Sequence, residues 1–453
     1  MKKIYLITLM AFSQISFAQS IACGGGATNF VLCNNSSVWA WGWGSPGQFG
    51  DGSNQNSNVP MEITGQTDIK ALDGGKWHVL RLKNDGTVWA SGDGYYGQLG
   101  NNSMNGSKNL VQSGTLSGMT AVSAGYEFSL ALKSDGTVWS WGLNELGQLG
   151  NGTTVNSKVP VKISSLSDVK AITGGHTHGL ALKNDGTVWG WGKNTNGQLG
   201  DNTSINRTVP IQIPSLTGVI AIEAGLNFSV VLKSDGTVWT FGRNDKGQLG
   251  NPTSSKIPVQ VASLSGVKAI ACGAAHTLAL KNDGSVVAWG YNFDGYLGDG
   301  TKNSSYVPVN VGSLTNVKEV ACGDYNSMAI QLDGTIWTWG QNSYGQLGNG
   351  SSTSSNVPIS LSKLCPATGN VTDAEDSFTA NVFPNPGLGI FNITLSTSAA
   401  DIEVYDPMGK LIVSQKMEGK TSSIDLSEFS SGIYQIRVLQ NGTIQSNQKV
   451  VKL

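Results

Sequence analysis

The stretch Ala181-Leu182-Lys183-Asn184-Asp185-Gly186-Thr187-Val188-Trp189-Gly190-Trp191-Gly192, followed four residues later by Gly197-Gln198-Leu199-Gly200, decides the fold because the chain repeats it. Gly-Gln-Leu-Gly starts at Gly97, Gly147, Gly197, Gly247 and Gly345, with the variants Gly-Gln-Phe-Gly at Gly47 and Gly-Tyr-Leu-Gly at Gly295. Successive copies lie 50, 50, 50, 50, 48 and 50 residues apart. Six are preceded by an Asp-Gly element, at Asp85, Asp135, Asp185, Asp235, Asp283 and Asp333; the first copy is reduced to Asn35-Ser36-Ser37-Val38-Trp39. A fixed period of this length marks stacked supersecondary units rather than one continuous core.

Within a unit, Val169-Lys170-Ala171-Ile172 leads through Gly175 into Gly179-Leu180-Ala181-Leu182, then Asn184-Asp185-Gly186, then Thr187-Val188-Trp189-Gly190-Trp191. Asp-Gly between alternating segments is a hairpin signal, since glycine supplies the positive φ of a tight turn. A fourth run, Val209-Pro210-Ile211, places its proline where an edge strand tolerates a missing N–H. Four short strands per unit make a propeller blade, and seven units close a ring with no long bare edge.

These motifs, Ala-Leu-Lys-x-Asp-Gly-Thr-Val-Trp and then Trp-Gly-x-Asn-x-x-Gly-Gln-Leu-Gly, resemble the regulator-of-chromosome-condensation repeat over roughly residues 20–364. The resemblance implies a protein-binding scaffold. Within that family such propellers serve as a nucleotide-exchange factor in nuclei, a photoreceptor in plants and secreted inhibitors of hydrolytic enzymes in bacteria. The photoreceptor role would want several tryptophans in the first-to-second strand connections, where this chain has only Trp77.

Both ends of the chain add information. Lys2-Lys3, the apolar run from Ile4 to Phe12 and Ser16-Phe17-Ala18 have the three-part pattern of a secretory signal, too short to span a bilayer. After Leu364 the period stops, and Pro366 to Ser377 is rich in Asn, Asp, Ser and Thr. Beyond it come Phe383-Pro384-Asn385-Pro386, Ile402-Glu403-Val404-Tyr405-Asp406, Gly432-Ile433-Tyr434 and the ending Gln448-Lys449-Val450-Val451-Lys452-Leu453. Alternating apolar strands with turn glycines describe a small sandwich. The segment resembles the C-terminal sorting domain of the type IX secretion route. That resemblance marks Pro384, Asn385, Pro386, Gly432, Tyr434, Lys449, Val450 and Lys452 as its motif.

The expected fold is therefore all-β, a seven-bladed β-propeller followed by a small immunoglobulin-like β-sandwich. The expected layout is a signal peptide over 1–18, the propeller over 19–364, a linker over 365–377 and the sorting domain over 378–453. The product is expected to be secreted or attached to the outer surface of a Gram-negative bacterium, with the type IX machinery as a partner. No transmembrane segment is expected once the signal is removed, and a monomer is expected.

Charge narrows the partners further. Without Lys2 and Lys3 the chain has 27 basic against 30 acidic residues, and its four arginines (Arg81, Arg207, Arg243, Arg437) are scattered. That is not the footprint of a nucleic-acid binder.

Several tempting motifs read as scaffold. Gly42-x-Gly44-x-x-Gly47 and Gly92-x-Gly94-x-x-Gly97 satisfy the dinucleotide pattern, but no helix follows to receive a pyrophosphate. The middle glycine aligns with Asn144, Asn194, Asn244, Asn292 and Asn342, which suggests a turn position with positive φ. His78, His178 and His276 share one repeat position, held elsewhere by Asn29, Phe128, Phe228 and Asn326. They fall in alternate blades, too far apart to share a metal ion. No metal or cofactor is expected; His176 is the histidine outside this pattern.

Cys23, Cys272 and Cys322 occupy one strand position and read as small buried residues. Cys33 and Cys365 do not repeat. One lies in the first blade and the other just after the last, so in an oxidising compartment they are disulfide candidates able to latch the ring.

Function should lie where the blades disagree. Antiparallel strands put the first-to-second and third-to-fourth connections on one face of the ring and the Asp-Gly hairpins on the other. The first face carries Trp43, Trp77, Tyr95, Tyr96, Tyr291, Phe293, Tyr325 and Tyr344, concentrated in blades six, seven, one and two. Clustered non-repeating aromatics are what an interface requires. The expectation is a binding propeller for an extracellular protein or glycan, without catalysis of its own. The alternative is a hydrolase of glycans or similar polymers using Asp93, Glu145, Asp245, Asp294 or Asp324, which would need two carboxyls roughly 5–10 Å apart.

Overall fold

In six of the seven blades the turn between the second and third strands is an Asp-Gly hairpin wired by its own side chains. At Asp185-Gly186 the carboxylate accepts hydrogen bonds from the Thr187 N–H (2.9 Å) and hydroxyl (2.7 Å), and Gly186 adopts φ +80°. These bonds hold the Asp185 carboxyl below the usual carboxylate range, and Asp85, Asp135, Asp235, Asp283 and Asp333 are lowered in the same way. The six repeated aspartates are thus turn residues.

In the computed structural model, residues 19–33, 35–262, 264–312, 314–361, 363–365, 380–383, 389–395, 400–417, 419, 421–440 and 443–453 are described. The leader at 1–18 and the motif residues Pro384, Asn385 and Pro386 lie outside them. The chain forms two compact units, divided between residues 368 and 369.

The first unit is a seven-bladed propeller. Its blades span 19–63, 69–112, 119–162, 169–212, 219–260, 267–310 and 317–361, each an antiparallel sheet of four strands consecutive in the chain. Blade 4, for example, is built from Val169–Gly174, His178–Lys183, Val188–Gly192 and Arg207–Gln212. Its outer ladder pairs Gly190 with Ile211 and then Gly192 with Arg207, so Pro210 falls at the break in register where no N–H is needed. One parallel bridge, Gly24 to Gly74, also joins the innermost strands of blades 1 and 2.

The core is divided into layers between blades. Phe128, Leu130, Leu149 and Ile163 of blade 3 pack with Leu166 and with Ala181 and Trp191 of blade 4, and each other pair of neighbours has an equivalent cluster. One hydrogen bond recurs in these layers. The indole N–H of Trp191 donates to the Gln148 carbonyl of the preceding blade at 2.8 Å. Trp141 donates likewise to Gln98, Trp289 to Gln248, Trp339 to Tyr296 and Trp41 to Gln346, at 2.8–3.0 Å. The last glycine of Gly-Gln-Leu-Gly makes room for that ring. A Cβ on Gly150 would come within 2.9 Å of the Trp191 ring, and its φ is +63°.

Two blades lack the indole. Blade 5 has Phe241, and the Gln198 carbonyl keeps only the Ser229 hydroxyl (2.7 Å), a bond that Ser129 and Ser327 also make, to Gln98 and Tyr296, beside the indole. Blade 2 has Ser91, and the vacated space holds the fully buried side chain of Arg81. Arg81 occupies the position of Ala131, Ala181, Ala279 and Ala329, while Gln66 replaces Leu116, Leu166, Leu264 and Leu314. The guanidinium donates to Gln66 Oε1 (2.8 Å), Ser91 Oγ (2.9 Å) and the Gln48 (3.2 Å) and Phe49 (2.8 Å) carbonyls. Burial lowers its proton affinity to about 9, which still leaves a cation at neutral pH. Gln66, Arg81 and Ser91 therefore replace the Leu, Ala and Trp of the neighbouring interfaces as one set.

The second unit is a β-sandwich. One sheet holds Ala380–Phe383, Ile390–Leu395 and Thr421–Asp425; the other holds Leu411–Met417, Ala400–Tyr405, Gly432–Gln440 and Thr443–Lys452. Phe391, Ile393, Ile402, Val404, Ile424, Tyr434, Ile436 and Val450 fill the space between them.

The exchanged set at the blade 1–blade 2 interface gives a compensation test. Arg81→Ala should cost about 3 kcal/mol, from the cavity and the polar groups left unpaired, and Ser91→Trp alone should destabilise by overpacking. The combined Gln66→Leu/Arg81→Ala/Ser91→Trp variant rebuilds the neighbouring interface and should recover most of the loss. Thermal melting of the three proteins checks this, and additive losses would refute the exchange.

Candidate binding face

The variable face is built from the loops between first and second strands and between third and fourth strands. The third-to-fourth loops in blades 3 to 7 are clamped by an asparagine. Asn144 Oδ1 accepts from Leu149 N (2.9 Å), and its Nδ2 donates to the Thr153 and Val155 carbonyls (both 3.0 Å). Asn194, Asn244, Asn292 and Asn342 make the same Oδ1 bond.

This corrects the reading of Gly44 and Gly94 as positive-φ turn positions: the positive values belong to their neighbours Gly42, Gly47, Gly92 and Gly97. The asparagines are chosen for their amides, and the two glycines serve because the loop closes onto them. A Cβ would lie 1.9 Å from the Gln55 carbonyl oxygen at Gly44 and 2.2 Å from that of Asn105 at Gly94.

The eight aromatic candidates fall into three groups. Trp43 of blade 1 stacks on Tyr344 of blade 7 (5.1 Å between centroids, 17° between planes) and meets Trp77 of blade 2 edge-on at 6.4 Å. Tyr291 stacks on Phe293 at 6.3 Å, and Tyr325 joins them through Tyr296, 5.6 Å from Tyr291 and 5.7 Å from Tyr325. Tyr95 and Tyr96 form a separate right-angled pair at 5.0 Å. Tyr95 is 68% exposed, Phe293 64%, Tyr344 44% and Tyr325 41%. Sequence reading missed Tyr296, the buried hinge of the second group. Its signal was the tyrosine standing where the other copies of Gly-Gln-Leu-Gly have glutamine.

Between the groups, polar side chains span the mouth of the central channel. Lys76 Nζ lies 4.0 Å from the Trp77 ring centroid and 4.1 Å from that of Tyr126. Tyr126 stacks on His176 at 4.1 Å, and His176 Nε2 meets Asp324 Oδ1 at 2.9 Å. This chain links blades 2, 3, 4 and 7. These side chains also line a cavity of about 110 Å³, whose wall includes nine glycines together with Asp73, Glu223, Cys23, Cys272 and Cys322.

Burial pushes all three thiols up, so they are not thiolates at neutral pH. Among the described residues no group of three or more His, Cys, Asp or Glu is placed to hold a metal ion.

His78, His178 and His276 are fully buried within the blades. Each places Nε2 2.9–3.0 Å from a serine of the next blade: Ser129, Ser229 and Ser327. Each serine gives its own proton to a carbonyl, of Gln98, Gln198 or Tyr296, so the histidine must donate from Nε2 and keep Nδ1 bare. The equivalence assumed for Asn29 needs correction. Thr28 pairs with Gly42 as His78 pairs with Gly92, so Thr28 is the histidine counterpart. Asn29 is the serine counterpart and accepts from Asn326 Nδ2 at 3.1 Å.

Of the acids weighed for catalysis, four are engaged by neighbours. Asp93 accepts from Gln98 Nε2 (2.8 Å), Asp245 pairs with Arg243 (2.7 Å), Asp294 accepts from the Tyr296 hydroxyl (3.4 Å) and Asp324 meets His176. Glu145 is exposed. Glu127 is raised by burial first, with the negative charges of Asp93 and Glu145 contributing.

Cys33 and Cys365 are joined by a disulfide, with Cα atoms 5.4 Å apart and a sequence separation of 332. In the sandwich, the Tyr434 hydroxyl donates to the Ser430 carbonyl at 2.6 Å and Val450 is fully buried. Lys452 is buried and donates to the Ser427 carbonyl (2.9 Å) and to that of Phe429. Gly432 opens its strand, and Lys449 is exposed.

The architecture and tail define a secreted or surface-attached β-propeller. Residues 8–264 and 179–380 match the RCC1-like domain, and residues 381–453 match the secretion system C-terminal sorting domain. The chain belongs to the RCC1-like domain family. Its sorting domain marks it for type IX export, to the medium or the outer surface of a Gram-negative bacterium.

Among solved structures it is similar to Prp20p from Saccharomyces cerevisiae (24% identity, TM-score 0.66, covering 72% of this chain and 86% of that one). It is also similar to human WBSCR16 (21% identity, TM-score 0.65, covering 72% and 94%). At these identities the likeness shows the fold. No curated protein matches the chain.

The buried titratable groups set the pH response. Burial raises Asp73 to about 6, Glu319 to about 7 and Glu223 to about 8, and lowers the three blade histidines to about 3. The raised carboxyls give stability that is lost as pH climbs through their folded values. The lowered histidines give stability that is lost as pH falls from 6.5 towards 3. Thermal stability should be greatest near pH 5–6.5 and decline towards pH 8.5. In Glu223→Gln that alkaline decline should be shallower; parallel melting-temperature curves for the two proteins would remove Glu223 from the account.

Proposed function

We propose that this protein is an extracellular binding propeller that engages a protein or glycan through its variable face and performs no chemistry of its own. The observation behind this reading is the set of exposed aromatics gathered on that face, with Tyr95, Phe293, Tyr325 and Tyr344 each more than 40% exposed. Large aromatic side chains left open on a rigid support are the material of interface hot spots. The supports are in place: Tyr344 lies flat on Trp43, and Tyr291, Phe293 and Tyr325 are grouped around the buried Tyr296.

The hydrolase alternative is less well supported by the same geometry. Glycoside hydrolysis calls for two carboxyls facing one groove. Asp93, Asp245, Asp294 and Asp324 each have a partner within the chain, and Asp245 and Asp324 are paired with cations or a histidine. Family membership brings no positive sign of catalysis either.

The test compares the intact propeller with a Trp43→Ala/Tyr95→Ala/Tyr344→Ala variant on glycan arrays and on panels of secreted proteins. Any partner found should bind the variant at least tenfold more weakly, about 1.4 kcal/mol. Equal binding by both would move the site off this face. Polymer cleavage by the intact protein that disappears in Glu145→Gln would favour the hydrolase.

A further inference from the structure

We propose that the Cys33–Cys365 disulfide is the closing element of the ring and that its formation assembles the aromatic platform. Every blade takes its four strands from consecutive chain, so no strand from one end of the propeller completes a blade at the other. Six of the seven inter-blade contacts are tethered by a short peptide connection, such as 163–168 between blades 3 and 4. The seventh, between blade 7 and blade 1, joins segments more than 300 residues apart and has the disulfide in place of a connection.

The non-covalent part of that seam uses the same kinds of contact as the tethered ones. Among them are the Trp41 indole to Gln346 carbonyl bond (2.9 Å), Asn326 to Asn29 (3.1 Å), Asn29 to the Gln346 carbonyl, Asn58 to the Gly350 carbonyl (2.9 Å), Ile21 N to Glu319 (3.4 Å) and the Gly350–Asn58 backbone bond (2.8 Å). An equivalent indole bond joins blades that are already tethered. Closing a loop this long without a cross-link carries a large entropic penalty, and the disulfide removes it from the folding equilibrium.

The same seam runs through the binding face. Trp43 comes from blade 1 and Tyr344 from blade 7, and their stack exists only while the seam is closed. Asp324 of blade 7 fits against the side-chain-free Gly25 of blade 1, where a Cβ would lie 3.1 Å from its carboxylate. Forming the latch converts two thiols to one S–S bond and passes two electrons and two protons to a disulfide-donating oxidoreductase outside the cytoplasm. The chain in the reducing cytoplasm therefore lacks the latch. The consequence for binding rests on the aromatic face being the docking surface; the latch itself does not.

The experiment compares full-length protein with Cys33→Ser/Cys365→Ser by hydrogen-exchange mass spectrometry and thermal melting. Wild-type protein reduced with a phosphine and alkylated supplies the same comparison should the double variant not fold. Loss of the latch should speed exchange roughly tenfold or more in residues 19–63 and 317–361, leave blades 3 to 5 unchanged, and lower the melting temperature by about 5 °C or more. Unchanged exchange at the seam, or acceleration spread evenly over all seven blades, overturns the latch. If the seam opens while a partner found on the arrays binds as before, the latch stands and the assignment of the aromatic face fails.

Discussion

The propeller depends on one backbone carbonyl per blade, that of the third-last residue in Gly-Gln-Leu-Gly, which must find a donor from the next blade. A carbonyl buried between two sheets without a partner would cost a large fraction of the stability of an interface. In five blades the donor is an indole N–H, at 2.8–3.0 Å. The ring delivering it also fills the core layer; Ser129, Thr277, Ser327 and Asn29 add a second donor to the carbonyls of Gln98, Gln248, Tyr296 and Gln346. The following glycine must then lack a Cβ, as Gly150 does against Trp191. A repeat in which Trp, Gln and Gly are tied by contact across blades cannot drift at those positions independently.

The exceptions show that the constraint is the carbonyl and the volume rather than tryptophan itself. Blade 5 drops the indole and relies on the second donor alone, with Phe241 filling space and Ser229 donating as Ser129 and Ser327 do elsewhere. Blade 2 solves both with a buried guanidinium whose planar fork reaches two adjacent carbonyls, a serine and a glutamine. A buried cation usually needs a counter-ion or full hydrogen bonding. Here the hydrogen bonds are supplied, because Gln66 stands where other interfaces have leucine.

The sequence makes the seven blades legible because the period, the Asp-Gly turn and the Trp-Gly pair are local signals of length four to twelve. It makes the aromatic face legible for a different reason: once the scaffold positions are known, whatever departs from them stands out. What it hides are contacts between repeats. Arg81 looked like one of four scattered arginines because its partners, Gln66 and Ser91, are 15 and 10 residues away and belong to the deficit of a missing indole. Gly44 and Gly94 were misread because glycine and asparagine share a tolerance for left-handed backbone, while the structure uses the asparagine amide instead. The assignment of Asn29 slipped by one because the first connection of blade 1 contains Gly24-Gly25-Gly26-Ala27, and a run of small residues gives no marker of register.

The polar chain from Lys76 through Tyr126 and His176 to Asp324 gives the variable face its unity. Loops on separate blades would otherwise move independently, each anchored only to its own sheet. The chain crosses from blade 2 to blade 7 and ties together blades that are not neighbours, with Trp43, Trp77 and Tyr344 along one margin and Tyr325 and Tyr296 along the other. The same four side chains line the cavity of about 110 Å³ at the centre of this face. If this face is the docking surface proposed above, its cross-linked loops would have little conformational freedom left to lose on binding.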